Sequence, residues 1–183
     1  IAAAIALAPG LAAAQYPAKP VRMVVGFPPG GGTDVVARII VPRLGENLGQ
    51  PVVIDNRPGA TGTVAADMVA KSTPDGYTIM MGHVSVNAIA PSLFPKLPYD
   101  VIKDFAPVSL LASGSFMMVV HPSLPAKSVK ELVAFAKARP GEINVATSGG
   151  GIYLVSALFQ DMSGTRMTNV TYRSTPFAIT ALV

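Results

Sequence analysis

A short apolar run, Val24-Val25-Gly26, meets Phe27-Pro28-Pro29-Gly30-Gly31-Gly32 and gives way at Thr33-Asp34 to a helical pattern. Strand, loop and helix in immediate succession form the unit from which parallel α/β sheets are built. Glycine lets backbone N–H groups come close to a ligand, and the helix that follows points its positive end at the same place. The junction therefore suits an anion such as a carboxylate or phosphate. The two usual phosphate signatures are missing: no Gly-Lys-Ser/Thr ending is present, and the glycines are contiguous rather than spaced as G-x-G-x-x-G, which disfavours a nucleotide. The same residues also make a tight strand-to-helix turn with no ligand, and both readings stand at this point.

Beyond the junction, Val36, Ile39, Ile40, Leu44 and Leu48 recur at three- and four-residue steps, which predicts a helix over Asp34 to Leu48 with Thr33 as its N-cap. Pro42 is expected to kink this helix and Gly49 to close it. Val52-Val53-Ile54 reads as a second strand, Asp55 to Gly62 as another glycine-bearing loop, Thr63 to Lys71 as a small helix and Tyr77 to Met81 as a third strand. Alternation of this kind predicts a parallel sheet with ligands at the carboxyl ends of its strands, so the loops after Gly26, Ile54 and Met81 open on one rim. His83, Ser85 and Asn87 fall in the third of these loops.

Val108 to Leu111 and Phe116 to Val120 read as further strands. Ser128 with Glu131 forms a capping box that opens an amphipathic helix through Arg139. Ile143 to Ala146 is a strand running into Thr147-Ser148-Gly149-Gly150-Gly151, with a helix from Ile152 to Met162, a strand from Met167 to Tyr172 and a helix from Pro176. The strand, glycine loop, helix motif thus occurs once near each end. Two such junctions suit a cleft between two lobes that holds a ligand with two anionic ends; two independent turns also satisfy the pattern.

Half of the 183 residues are hydrophobic, enough for a core of one ordinary domain or two small lobes. The 14 Lys and Arg against 10 Asp and Glu are scattered singly, with no cluster to track a phosphate backbone, so nucleic acid is not expected as a partner. Cysteine is absent, which removes disulfides, thiolate metal sites and cysteine nucleophiles, and no metal site or cofactor is expected. With no G-x-S-x-G or H-E-x-x-H, an enzyme would have to rest on His83 or His121, and no activity is expected. Ile1 to Ala8 is apolar and uncharged, and Ala12-Ala13-Ala14 supplies small residues before Gln15. This is the pattern of a secretory signal peptide cleaved near Ala14 and of an exported chain.

The ordered set Gln15-Tyr16-Pro17-Ala18-Lys19-Pro20, Phe27 to Asp34, Gly49-Gln50-Pro51-Val52-Val53, Asn56-Arg57-Pro58-Gly59-Ala60, Pro74-Asp75-Gly76-Tyr77-Thr78, Lys103-Asp104-Phe105-Ala106-Pro107-Val108 and His121 to Leu132 resembles the tripartite tricarboxylate transporter substrate-binding proteins, the Bug or TctC family. The resemblance implies a periplasmic binding protein of the type II kind, α/β, with two lobes that each carry a mainly parallel sheet flanked by helices. The first lobe would span residues 15–118 and a partial second lobe 119–183, the second incomplete because family members continue further. It implies a monomer that captures a small carboxylate-bearing molecule through backbone amides and passes it to the membrane permease subunits of a tripartite transporter. The same fold would also serve a membrane sensor, and a truncated remnant would do neither.

Carried over by position, the site takes Phe27, Pro29, Gly30, Gly31, Gly32, Thr33 and Asp34 from the first junction, His83, Val84 and Ser85 from the same rim, and Ser148, Gly149, Gly150 and Gly151 from the second lobe. Phe27 would form an apolar wall. Asp34 has the wrong charge for a carboxylate and is expected to organise the loop, or to bind an amino group. The second junction departs from the family pattern: it is short and lacks the hydroxyl residues and histidine that the family carries there.

Overall fold

The computed structural model describes residues 16–183; the signal-peptide reading of residues 1–14 lies outside the described residues. The first half builds a three-stranded parallel sheet from β1 (Val21–Val25), β2 (Val52–Asn56) and β3 (Thr78–Met81), in the order β2-β1-β3. The middle strand, β1, is covered on both faces, which is why Val21, Met23, Val24 and Val25 are all buried and the strand reads as a continuous apolar run. On one face, Val21, Met23, Val25, Val52 and Met81 pack against α1 (Gly32–Leu48) through Ala37, with Val36, Val41, Leu44 and Leu48 around them. On the other, α2 (Thr63–Ala70) supplies Ala66, which clusters with Val86, Tyr99, Phe27, Met80 and Phe105.

The helix α1 starts earlier than the apolar periodicity indicates. Its N-cap is Gly31, not Thr33, and no side chain caps it. Thr33 is already within the first turn. The helix runs through Pro42 and ends at Gly49, whose left-handed φ of 68° returns an N–H to Glu46 O, as the sequence anticipates. Ile39 is 71% exposed, so the buried stripe is Val36, Ala37, Val41, Leu44 and Leu48 rather than one that includes Ile39.

The second half forms a two-stranded parallel sheet, β4 (Asn144–Ser148) beside β5 (Thr168–Tyr172), flanked by α5 (Gly149–Ser163) and α6 (Thr175–Leu182). A short helix α3 (Ala90–Leu93) ends the first half, and α4 (Val129–Ala138) opens the second. The capping box of α4 forms: Glu131 N–H donates to Ser128 Oγ at 3.2 Å, while the Glu131 carboxylate accepts from Lys127 N–H at 2.8 Å.

Two expectations fail between these halves. Val108 to Leu111 and Phe116 to Val120 are not strands; they run without regular structure and are exposed, Val108 at 94% and Met117 at 86%. Their β-branched and aromatic residues have the propensity, but a strand exists only where a neighbour completes its ladder, and among the described residues none does.

Candidate functional site

All three strands of the first sheet point their carboxyl ends at one rim, which is built by the turn after β1, the turn after β2 and the segment after β3. The first turn is held from within by Asp34. This carboxylate, 1% exposed, accepts from Gly30 N–H at 2.9 Å and Arg38 Nε at 2.8 Å on one oxygen, and from Asn56 Nδ2 at 2.9 Å on the other. Asn56, the last residue of β2, also donates to Phe27 O at 3.0 Å, tying the turn to the sheet. The Arg38 hydrogen bond, assisted by those from Gly30 and Asn56, lowers the Asp34 pKa to about 2 against the cost of burial. Asp34 is a loop organiser, with both oxygens engaged. Asn56 shares that task, a role the sequence reading missed because Asn56 entered it only as part of a family segment.

The glycines of the first turn divide by function. Gly30 N–H is committed to Asp34, and Gly31 N–H donates to Pro28 O at 3.2 Å. The amides of Gly32, Thr33 and Asp34, the first turn of α1, donate to no acceptor among the described residues. These are the N–H groups that a helix leaves without intrahelical partners, and they sit at its positive end. Pro29 and Gly30 are exposed at the lip of this turn, and Gly30 has φ 78°, a conformation that favours glycine.

At the end of β3, His83 lies edge-on to the Phe27 ring, with centroids 4.7 Å apart. Its Nδ1 accepts from Ser85 N–H at 3.1 Å, which leaves the proton of the neutral ring on Nε2. Burial lowers the His83 pKa from its ordinary value, so the ring is a neutral donor at neutral pH. Ser85 is not in a loop: Ser85–Ile89 forms a wide helical turn, with the exposed Val84 just before it and the Ser85 side chain buried. Asn87 is exposed on the same turn.

The turn after β2 is strained. Gly59 and Gly62 have φ of 153° and 95°, and between them Ala60 and Thr61 also take positive φ, 44° and 60°. Non-glycine residues in that region cost about 1–3 kcal/mol each and persist where the surroundings over-determine them. Thr61, absent from the sequence-derived set, puts its methyl 3.2 Å from a Cβ position on Gly150.

In the second half there is no glycine loop. β4 passes directly into α5, with Ser148 as N-cap and Gly149, Gly150 and Gly151 as the first helical turn. Ser148 Oγ lies 2.9 Å from Thr175 Oγ1, joining the starts of α5 and α6. The first turn of α5 meets the rim of the first sheet directly. A Cβ on Gly149 would stand 3.9 Å from the Phe27 ring, one on Gly150 would stand 3.2 Å from Thr61 Cγ2, and one on Gly151 would stand 3.5 Å from Ser85 Oγ. Gly151 N–H donates to Ser85 Oγ at 3.1 Å across the boundary. Phe27, His83, Ser85 and Gly149 to Gly151 are therefore gathered at one place. A shallow recess lined by Pro42, Gly45, Gly49 and Val52 lies at the opposite, amino end of β2.

Two parallel sheets that meet where the first turn of α5 touches the rim of the first make this a two-sheet α/β fold. Residues 36–183 match the family described as Tripartite tricarboxylate transporter family receptor, TctC. Protein BugT of Bordetella pertussis is 40% identical over 180 residues, 97% of this chain and 55% of that protein. MatC from Rhodopseudomonas palustris, solved with bound malate, is 37% identical with a TM-score of 0.83, over 91% of this chain and 57% of that one. A second R. palustris structure, with adipate, is 35% identical with a TM-score of 0.81, over 91% of this chain and 56% of that one. The chain belongs to the TctC family, one of substrate-binding receptors and not of enzymes. It spans about half the length of the curated relatives it matches.

Proposed function

We propose that this chain is the solute-capturing part of a periplasmic binding protein that takes a small carboxylate, a dicarboxylate of the malate or adipate kind, and hands it to a tripartite tricarboxylate-type permease. The observation that carries the reading is the unpartnered first turn of α1: the amides of Gly32, Thr33 and Asp34 have no acceptor among the described residues, on a loop braced by Asp34 and Asn56. A carboxylate oxygen satisfies such donors and gains from the helix dipole. Phe27 offers an apolar wall for the carbon chain, and His83 a neutral N–H that adds no charge. Gly31 keeps the turn compact, since a side chain there would press on Pro28 O at 3.2 Å. Val84 lies at the rim, and Ser148 to Gly151 bring the start of α5 against Phe27, Thr61 and Ser85. The malate and adipate seen in the two R. palustris structures set the chemical class to screen first.

Gly32→Pro is the sharp test. Gly32 is the first helical residue, Gly31 before it has φ −72° and ψ 160°, and nothing lies within 4 Å of a Cβ at Gly32. Proline is well tolerated there and removes one amide hydrogen without ending the helix. A hydrogen bond to a charged group contributes about 1.5–3 kcal/mol, so affinity for malate or adipate by calorimetry should fall roughly tenfold or more while the melting temperature of the free chain holds. Undiminished affinity in a folded Gly32→Pro protein would reject the α1 amides as the carboxylate site.

A further inference from the structure

The first turn of α5 is shaped by what it touches. Three successive glycines each face a different residue of the first sheet's rim: Gly149 faces Phe27, Gly150 faces Thr61 and Gly151 faces Ser85. A Cβ on Gly150 would stand 3.2 Å from the Thr61 methyl, so a side chain at this position pushes the two halves apart. Glycine is a poor helix former, and three at the start of a helix cost stability that alanine would not. Close approach to Thr61 is what glycine provides at position 150, while Gly149, with φ 72°, takes a backbone conformation that favours glycine.

On the other side of this contact, Ser85 is held on two sides. It is 1% exposed, and its own N–H is fixed by His83 Nδ1 at 3.1 Å. The next two amides, of Val86 and Asn87, both donate to His83 O, at 2.9 and 3.0 Å, holding the start of the wide turn. That arrangement aims Oγ outward from the first sheet, where it accepts from Gly151 N–H at 3.1 Å. Gly151 N–H belongs to the first turn of α5 and has no intrahelical acceptor, and no side chain of α5's own N-cap serves it. Ser85 thus caps a helix of the other half, in the way an N-cap serine serves its own helix.

We propose that Ser85 is a positioning residue that latches the two halves together through Gly151, with the glycine turn of α5 as the seat of that contact. The latch is independent of which acid is captured. It sets the balance between joined and separated halves of the protein.

The chain has no cysteine, so an Ile39→Cys, Met162→Cys pair can be spin-labelled without background. Ile39 on α1 is 71% exposed and Met162 on α5 is 80% exposed, so each label reports on its own half without disturbing a core. Double electron–electron resonance on the ligand-free protein should give one dominant distance. Ser85→Ala should add a second population at longer distance, the joined-to-separated ratio falling by roughly 2- to 10-fold, as expected for one neutral hydrogen bond. Gly150→Val, which leaves Ser85 intact but places a side chain against Thr61, should produce the same longer population. A distance distribution that neither substitution alters would overturn the latch. So would a Ser85→Ala protein that melts earlier with its distances unchanged, because Ser85 would then serve packing alone. No ligand enters the experiment, so its outcome is separable from that of the carboxylate reading.

Discussion

Asp34 places a negative charge beside the amides proposed to hold another, and its surroundings resolve the conflict. Each carboxylate oxygen is already occupied, one by Gly30 N–H and Arg38 and the other by Asn56, so the charge is neutralised inside the loop. Removing it leaves Gly30 N–H without its acceptor and Asn56 Nδ2 with Phe27 O alone. Asp34→Ala should therefore cost about 1–3 kcal/mol in a urea melt at neutral pH. The pH dependence has a definite sign. With its folded pKa lowered to about 2, Asp34 contributes stability that is fully present above the ordinary aspartate value of about 4 and is lost as the pH falls through about 2. Urea melts between those limits should show a steeper acid loss in the unmodified chain than in Asp34→Asn. Equal slopes would mean that the carboxylate holds nothing.

The helices α1 and α5 start in different ways, and glycine has a different task in each. In α1 the glycines at 30 and 31 spend their amides on the turn itself, and Gly32 adds an unpartnered one; in α5 Gly149 supplies a positive φ of 72° and Gly150 gives clearance to Thr61. Between them, Gly62 is needed for space and for conformation. It has φ 95°, and a Cβ there would stand 2.6 Å from Val86 Cγ2. Gly62→Ala combines backbone strain with overpacking and should destabilise by roughly 2–4 kcal/mol, whereas Gly32→Ala, with open space around it, should be close to neutral or mildly stabilising. Thermal melts of the pair test this, and equal losses would contradict the geometry. These distinctions mark the limit of what was legible beforehand. Periodicity located α1, α2 and α4, the Ser128 box and the Gly49 stop, because those signals are local. The strained Ala60-Thr61 pair, the bridging Asn56 and the Ser85 to Gly151 bond join residues far apart in the chain, and no spacing rule announces them. The failure at Val108 to Val120 has the same origin: strand propensity is local, but a strand's partner is not.

At the scale of the whole molecule, two sheets meet through the first turn of α5 and are joined by a long connection. Tyr99 and Phe105 anchor its first part to the core of the first sheet, edge-on to each other with ring centroids 5.7 Å apart. From Pro107 to Val120 the chain is exposed and lacks regular structure, although the Phe116 ring reaches to within 3.8 Å of a Cβ position on Gly151. Proteases need several residues of extended, accessible backbone, and this segment supplies them without any local unfolding. Its Leu110, Leu111, Phe116 and Met117 are chymotryptic sites, and Leu110 is 85% exposed. Brief chymotrypsin treatment of the native protein should therefore cut first between Leu110 and Met117, leaving one fragment with β1 to β3 and another with β4 and β5. Mass spectrometry of the earliest products decides it. Early cleavage within α1 or α5 would instead mean that a packed helix opens more readily than the connection, contrary to the burial of their inner faces. If the segment is cut first and the two fragments still elute together, the contact of α5 with Phe27, Thr61 and Ser85 is enough to hold the halves without the covalent link. If they separate, that contact depends on the intact connection.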